Sequence, residues 1–456
     1  MNTGTLTATE QAPVAQAEVT QAPSTALLTD QYELTMLQAA IADGVAEHRA
    51  VFELFARRLP TGRRYGVVAG LGRFLDALAH FRFTDAQVDK LAARGVVDDA
   101  TADYLRAYRF SGNIDAYQEG EVYFPHSPVL TIEGTFGECV LLETLALSIL
   151  NHDSAIASAA ARMVHAAGGR TLIEMGSRRT GEQAAVAAAR AAYLTGFTAT
   201  SNLQAGDVYG VPTTGTAAHA FTLAHRDERA AFASQVAALG TATTLLVDTY
   251  DIPTGIRTAV EVAGTDLGGV RLDSGDPRVE VPAARELLDA LGAVNTRIVV
   301  SSDLDEHTIA ELAEVPVDGY GVGTRLVTGS GAPTAEMVFK LVAIADEPGL
   351  DTALRPVAKR SSSKASVGGR KRARRILDDD GVAVAEHVTT RYLISDVTAA
   401  VPTGRALQVP VVRDGVRVHN PSIDDIRAHH RGAMAELTTD DLDLAPGAPR
   451  LIGGEQ

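Results

Sequence analysis

The chain has 456 residues, enough for two or more packed domains around a large core, and 46% of them are hydrophobic. A formal net charge of -16 argues against a general nucleic-acid or anionic-membrane binder, and no apolar run reaches the roughly 18 residues of a membrane-crossing helix. The lone cysteine, Cys139, excludes an internal disulfide and a thiol-rich metal site, and points to a reducing, cytoplasmic setting.

Residues 1–25 are rich in Ala, Thr, Gln and Pro and lack the basic start and apolar stretch of a signal peptide, so they read as a disordered tail. "LLTDQYELTMLQAAIADG" predicts a helix with Thr29 or Asp30 as its cap and Gly44 as its stop. "AVFELFARRLP" reads as a strand ended by Pro60, and "LGRFLDAL" as a helix. Between Gly112 and Gly137, apolar and polar residues alternate and are broken by Gly and Pro, the pattern of short antiparallel strands. Residues 26–150 therefore predict an α+β unit.

A strongly helical stretch beginning at "ECVLLETLAL" leads into a second rhythm over 151–346. Short apolar runs recur there, with Ala-rich helical stretches between most of them: "TLIEMG", "FTATSN", "VPTTGT", "TTLLVDTYD", "GGVRLDSGD", "TRIVVSSDLDE" and "VDGYGVGT". Strand and helix in alternation predict a parallel sheet covered by helices, here an α/β barrel, with an open sheet as the alternative. Polar residues cluster at the carboxyl ends of these runs: Ser177, Arg178 and Arg179; Ser201 and Asn202; Asp248 and Asp251; Arg271, Asp273 and Asp276; Ser301, Ser302 and Asp303. Asp or Ser after a strand often caps the next helix. So many strand ends together predict a shared polar mouth, where barrels build their sites.

The segment 347–456 opens on a basic, Ser/Gly-rich run, "RPVAKRSSSKASVGGRKRARRI". A nucleic-acid tract fits poorly with the acidic chain, which leaves a mobile phosphate-handling loop or a solvated one. "ALQVPVVRDGVRV" predicts a hairpin about Arg413–Gly415, so this end is expected to pack back on the first unit.

Three motifs carry chemistry. In "DGYGVGTRLVTG", Gly321 and Gly323 let backbone N–H groups approach a phosphate beside Thr324, although a tight turn reads the same way. In "VRLDSGD", Arg271 offers a fork for a carboxylate or phosphate, while Asp273 and Asp276 could hold ribose hydroxyls or a hydrated Mg²⁺; an internal Arg–Asp salt bridge competes equally. In "TGTAAHAF", His219 stands among small residues at a predicted strand-to-helix join. It can serve as acid, base or nucleophile, and with no HxH or HxxxH partner, metal ligation is the weakest of its roles.

"TDQYELTM", "FELFARRLP", "EMGSRR", "GTAAH", "VRLDSGD", "SSDLDE" and "GVGT", in this order from Leu27 to at least Lys364, resemble the nicotinate phosphoribosyltransferases. The resemblance implies a type II phosphoribosyltransferase fold, an irregular α/β barrel plus an α+β domain made from both chain ends. It implies that nicotinate is joined to phosphoribosyl pyrophosphate, with Mg²⁺ and with ATP as co-substrate, in NAD salvage. Residue by residue, it implies Tyr32, Thr216 and Arg271 at nicotinate, Thr324 at the 5-phosphate, and His219 as the residue phosphorylated from ATP. Ala217 and Ser302 depart from the commoner residues of the family without removing a needed donor. The resemblance also implies a homodimer. Transfer to quinolinate or nicotinamide, or a non-catalytic barrel that only binds, are the alternatives.

Overall fold

The strand expected from "AVFELFARRLP" is His48–Ala56, and all of it after Arg49 is buried. Its faces are covered by separate apolar clusters, with Phe52 and Leu54 in one and Val51 in the other, and both of its edges are paired. Leu130–Thr135 lies antiparallel on one side and Met337–Pro348 on the other. Asn113–Tyr117 and Gln408–Arg413 extend the sheet beyond Leu130–Thr135. The seven-stranded antiparallel sheet therefore runs Leu354–Pro356, Met337–Pro348, His48–Ala56, Leu130–Thr135, Asn113–Tyr117, Gln408–Arg413, Val416–Arg417. Strands from both ends of the chain share one sheet. Met337–Pro348 already belongs to it, so the parallel unit ends earlier than 346. The hairpin forms as expected, with Asp414 at φ 49 and Gly415 at φ 73, the left-handed pair that a two-residue turn needs.

The computed structural model describes residues 23–359, 367–391 and 404–451. The expected disordered tail therefore lies, through residue 22, outside the described residues. From Ser24 the chain is already tied down: the Ser24 hydroxyl donates to the Arg82 carbonyl, and Thr25 N to that of His80. The first helix is Gln31–Asp43, stopped by Gly44 at φ 85. Asp30 holds the cap position but makes no capping bond, because its carboxylate accepts from Thr144 Oγ1 instead.

The second sheet has six parallel strands in the order Ala199–Thr200, Thr171–Glu174, Gly319–Val322, Arg297–Val300, Gly269–Leu272, Thr244–Leu246. Among the described residues no ladder joins its two outer strands, so the curled sheet is a half barrel. The run "VPTTGT" is not a strand. Thr213 makes one isolated bridge to Thr200, after which the chain leaves the sheet as the loop Thr214–Ala218. Pro212 has no N–H to give to a ladder. Helices cover the sheet, among them Glu182–Thr195, Ile252–Ala263 and Pro277–Ala290.

Between the two sheets runs the helix Glu143–Ala167. Its buried face is built from Ala155, Ala157, Ala159, Ala160 and Ala161, small enough for other elements to pack close. Ser154 and Ser158 accept from Ala69 N and Val67 N, satisfying backbone that would otherwise be buried unpaired. Together with the short helix before it, this span is long and apolar enough to cross a bilayer, but two-thirds of its apolar window (67%) is buried in the fold. It is a core helix.

The basic run is neither a mobile phosphate loop nor a solvated one where it is described; residues 360–366 lie outside the described residues. Arg370–Leu377 is a strand, paired with Ala383–Arg391. Its cations face buried acids of the first unit: Arg370 bonds Asp115 and Glu133, Lys371 bonds Glu53, and Arg372 bonds Asp115.

Candidate active site

The loops after the parallel strands converge on a cavity of about 530 Å³. Each loop contributes one wall. Ser177, Arg178 and Arg179 form a turn after Thr171–Glu174; Thr214–Ala218 form the loop after Thr213; Arg271 lies in the strand Gly269–Leu272 near its end and Asp273 just follows it; Ser301–Asp303 follow Arg297–Val300; Gly321, Gly323 and Thr324, at the end of Gly319–Val322, close the ring. Of the residues singled out in the sequence, Thr216, Arg271, Thr324, Gly323, Arg178, Ser302 and Asp273 line this one cavity.

Glu174 builds the first wall. Wholly buried, it accepts from Thr200 Oγ1 and from Gly176 N, which fixes the turn that carries Ser177–Arg179. Gly176 is required by close approach: a Cβ there would stand 2.2 Å from Val327 Cγ1 and 3.1 Å from Gly323 O. The glycines on the opposite wall behave alike, since a Cβ on Gly321 would sit 2.7 Å from Met175 Sδ. Backbone therefore lines this side of the cavity.

Arg271 is the cation of the floor. Its side chain is 11% exposed, and Nη1 donates to Thr216 Oγ1 and to the Ala217 carbonyl at 3.2 Å. Burial pulls its pKa down, and only Asp273 and Asp248 oppose that. Nε is buried with no partner among the described residues. A half-paired guanidinium beside a threonine hydroxyl suits a carboxylate ligand.

His219 is not itself in the lining; it follows the lining residue Ala218 and opens the short helix His219–Leu223, with its side chain 40% exposed. Its Nε2 lies 3.0 Å from Asp248 Oδ1. Asp248 is held on its other oxygen by Asp273 N at 2.8 Å and Ser274 Oγ at 2.7 Å, and its side chain is fully buried. A carboxylate can only accept here, so the neutral ring carries its proton on Nε2 and its lone pair on Nδ1. Asp248 is the functional residue that sequence reasoning left without a role. Its signal was an acid directly after the apolar run "TLLV". The capping explanation holds for its neighbour Asp251, which accepts from Thr254 N, and fails for Asp248.

Two of the singled-out residues lie elsewhere. Asp276 caps the helix Pro277–Ala290 and binds Arg278 through both oxygens, outside the cavity lining. Tyr32 sits on the first helix, 45% exposed and away from the cavity, beside Glu143 and Thr144. Burial, with the charges of Glu143 and Glu33, pushes its phenol up to about 12. For Mg²⁺ the donor set is thin: among the described residues no three His, Cys, Asp or Glu side chains gather. Asp273, which lines the cavity, accepts from Ser301 Oγ through Oδ1. That fits a Mg²⁺ brought in by substrate phosphates and held by one carboxylate, not a resident ion.

Arginines, hydroxyls and backbone gather over one cavity at the strand ends of an α/β half barrel, where such folds build enzyme sites. Sequence comparison places it. The model of the nicotinate phosphoribosyltransferase (NAPRTase) N-terminal domain matches residues 27–151, and that of the nicotinate phosphoribosyltransferase (NAPRTase) family matches residues 171–389. The chain is 58% identical to nicotinate phosphoribosyltransferase pncB1 of Mycobacterium tuberculosis, over 93% of this chain and 94% of that protein. It is 38% identical to the nicotinate phosphoribosyltransferase of Bacillus subtilis over 78% of this chain and 74% of that protein. The crystal structure of human nicotinic acid phosphoribosyltransferase superposes with a TM-score of 0.76 at 27% identity, covering 93% of this chain and 97% of the other. The chain belongs to the nicotinate phosphoribosyltransferase family and is a transferase of NAD salvage.

Proposed function

We propose that the chain joins nicotinate to 5-phosphoribosyl 1-pyrophosphate, releasing pyrophosphate, and couples this to ATP hydrolysis through a phosphoryl group carried on His219. The observation that carries the coupling is the His219–Asp248 pair at 3.0 Å, with His219 next in sequence to Ala218 of the cavity that Arg271 and Thr216 also line. Asp248 takes the Nε2 proton, which leaves Nδ1 free to attack the γ-phosphorus. The bond to ADP breaks as the N–P bond forms, and ADP leaves with the electron pair. Water later returns the group as phosphate. Arg271 and Thr216 hold the nicotinate carboxylate and aim the ring nitrogen at the ribose carbon that bears pyrophosphate. Gly323 and Thr324 hold the 5-phosphate, while Arg178 and Ser302 face the same substrate. Asp273 would be the carboxylate that holds a Mg²⁺ arriving with the pyrophosphate, and the ion would neutralise charge on the leaving group.

Replacing His219 by Asn tests this directly. Nicotinate-dependent ATP hydrolysis should be abolished while slow, ATP-independent formation of the mononucleotide persists. ATP stimulation surviving His219→Asn would refute the coupling. Comparing nicotinate, nicotinamide and quinolinate as acceptors separates the alternatives, with preference for nicotinate expected from a single buried arginine. Release of pyrophosphate excludes a binding-only barrel.

Tyr32 favours a homodimer. It lies away from the cavity of its own chain, so a contact with nicotinate requires a second copy to present it. Mixing Tyr32→Ala chains with Arg271→Ala chains should then restore activity that neither has alone, because one mixed site keeps both residues. No recovery on mixing refutes a shared site.

A further inference from the structure

A second, much smaller cavity shares no lining residue with the active site. It holds about 10 Å³, roughly the room that one water needs. Its walls are mostly apolar, Leu59, Ala155 and Ala335 among them, and no Asp or Glu lines it. Two of its polar lining residues, Tyr65 and Arg63, are only 1% and 7% exposed. The Tyr65 hydroxyl is buried with no hydrogen-bond partner among the described residues. Burial pushes this phenol up to about 12, so it keeps its proton and can donate. Arg63 donates from Nη2 to the Gly329 carbonyl, while its Nη1 lies 3.2 Å from Glu306 Oε1 without making a hydrogen bond to it. Arg162, on the core helix, reaches the same oxygen through Nε at 3.0 Å, and its own Nη1 is likewise unpartnered.

Among the described residues, Glu306 is the only acid within ion-pair distance of either guanidinium. Burial alone would raise its pKa, but Arg63, Ser330 and Arg162 bring it below the ordinary carboxylate value, so it is ionised. Two buried cations therefore share one anion, and the excess positive charge is costly out of water. Three buried donors also lack an acceptor. A water in the cavity would accept from them but leave the charge unbalanced; an anion does both. We propose that this cavity binds one monatomic halide, chloride, between Arg63 Nη1 and the Tyr65 hydroxyl. The room excludes phosphate and pyrophosphate, so the site is no part of the substrate cavity. Three parts of the chain meet there: Arg63 and Tyr65 precede the strand Gly66–Val67, Ala155 lies on the core helix, and Ala332 follows the turn Gly329–Gly331. Chloride bound only by the folded chain stabilises their assembly by mass action.

Urea unfolding at fixed ionic strength, with potassium chloride exchanged for potassium gluconate, reads this linkage. Chloride should raise the wild-type midpoint and saturate. Tyr65→Phe removes only the unpartnered hydroxyl, and should demand roughly 10-fold more chloride for the same rise. Arg63→Met should abolish the dependence, and Tyr65→Phe carries the test alone if Arg63→Met fails to fold. Crystals of the full chain in bromide should show one anomalous peak between Arg63 and Tyr65. A wild-type midpoint indifferent to chloride overturns the site. So does the same dependence in wild type and Tyr65→Phe, which would be a general salt effect. A cavity holding water and no bromide overturns it as well, and a bromide peak without a midpoint shift means binding at crystal concentration only and does the same.

Discussion

The proposed role of Arg271 depends on the geometry of one guanidinium. Two of its nitrogens are committed, one to Thr216 and Ala217 and one facing Asp273 at 3.7 Å, and Nε is buried unpaired. Lysine keeps the charge but loses the planar fork and leaves Thr216 Oγ1 without its donor. Arg271→Lys should raise KM for nicotinate by roughly 10- to 100-fold, corresponding to about 1.5–3 kcal/mol for a charge-assisted bond, with a smaller change in kcat. Steady-state kinetics with nicotinate varied at saturating phosphoribosyl pyrophosphate checks this, and an unchanged KM would remove Arg271 from the acceptor site. At this scale the sequence was informative where a residue type is itself unusual. An arginine ending an apolar strand and a histidine among alanines both stand out. Asp248 did not, because it is held by Ser274 Oγ and Asp273 N at the end of the neighbouring strand, and no spacing in the sequence encodes that contact. Tyr32 and Asp276 sat in matching motifs, yet a motif fixes neighbours in sequence and not which cavity a side chain faces.

The parallel strands were legible as elements because each is an apolar run stopped by polar residues. The observed ladders are shorter than those runs, two residues for Ala199–Thr200 and three for Thr244–Leu246. The ends of the runs turn outward to make the site. The one run that is not a strand, "VPTTGT", has the composition of a strand but carries a proline, and it becomes the loop that delivers Thr216. Close packing between two such loops makes Gly176 a sharp probe. Alanine there places a methyl 2.2 Å from Val327 Cγ1 and 3.0 Å from Glu174 Oε1, and 3.1 Å from Gly323 O. The two walls must part, at about 1–3 kcal/mol for overpacking. Gly176→Ala should lower the unfolding midpoint in urea. It should also raise KM for phosphoribosyl pyrophosphate more than KM for nicotinate, because Gly323 and Thr324 move while Arg271 stays. Equal effects on both substrates would contradict this placement of the phosphate.

At the scale of the whole molecule, the acidic balance hides a local exchange of charge. The basic run near residue 370 looked like a surface feature because nothing in the sequence pairs it with residues more than two hundred positions earlier. In the fold it answers Glu53, Asp115 and Glu133. The deepest pair is Arg375 with Glu386, at 2.8 Å and both side chains fully buried. Glu386 also accepts from Tyr117 and Ser127, so the network ties the C-terminal strands to the first unit. Burial drives the Glu386 pKa above the ordinary carboxylate value, although Arg375, Ser127 and Tyr117 pull it down. Arg375→Met removes the countercharge and should cost about 3–5 kcal/mol near neutral pH. The sign with pH follows from the raised value. An acid whose pKa is higher folded than unfolded binds more protons in the folded state, so it burdens the fold once pH exceeds its unfolded value. The deficit of Arg375→Met should therefore shrink as pH falls and Glu386 takes up its proton. Adding Glu386→Gln to Arg375→Met should recover much of the loss and flatten its pH dependence, because Glu121 and Glu436, the other acids that Arg375 faces, keep Arg405 as their countercharge. Urea unfolding of the four chains across pH 4–8 reads this as a double-mutant cycle. Additive losses, independent of pH, would mean the pair contributes packing alone, and that the join between the two ends of the chain is held by the sheet rather than by its charges.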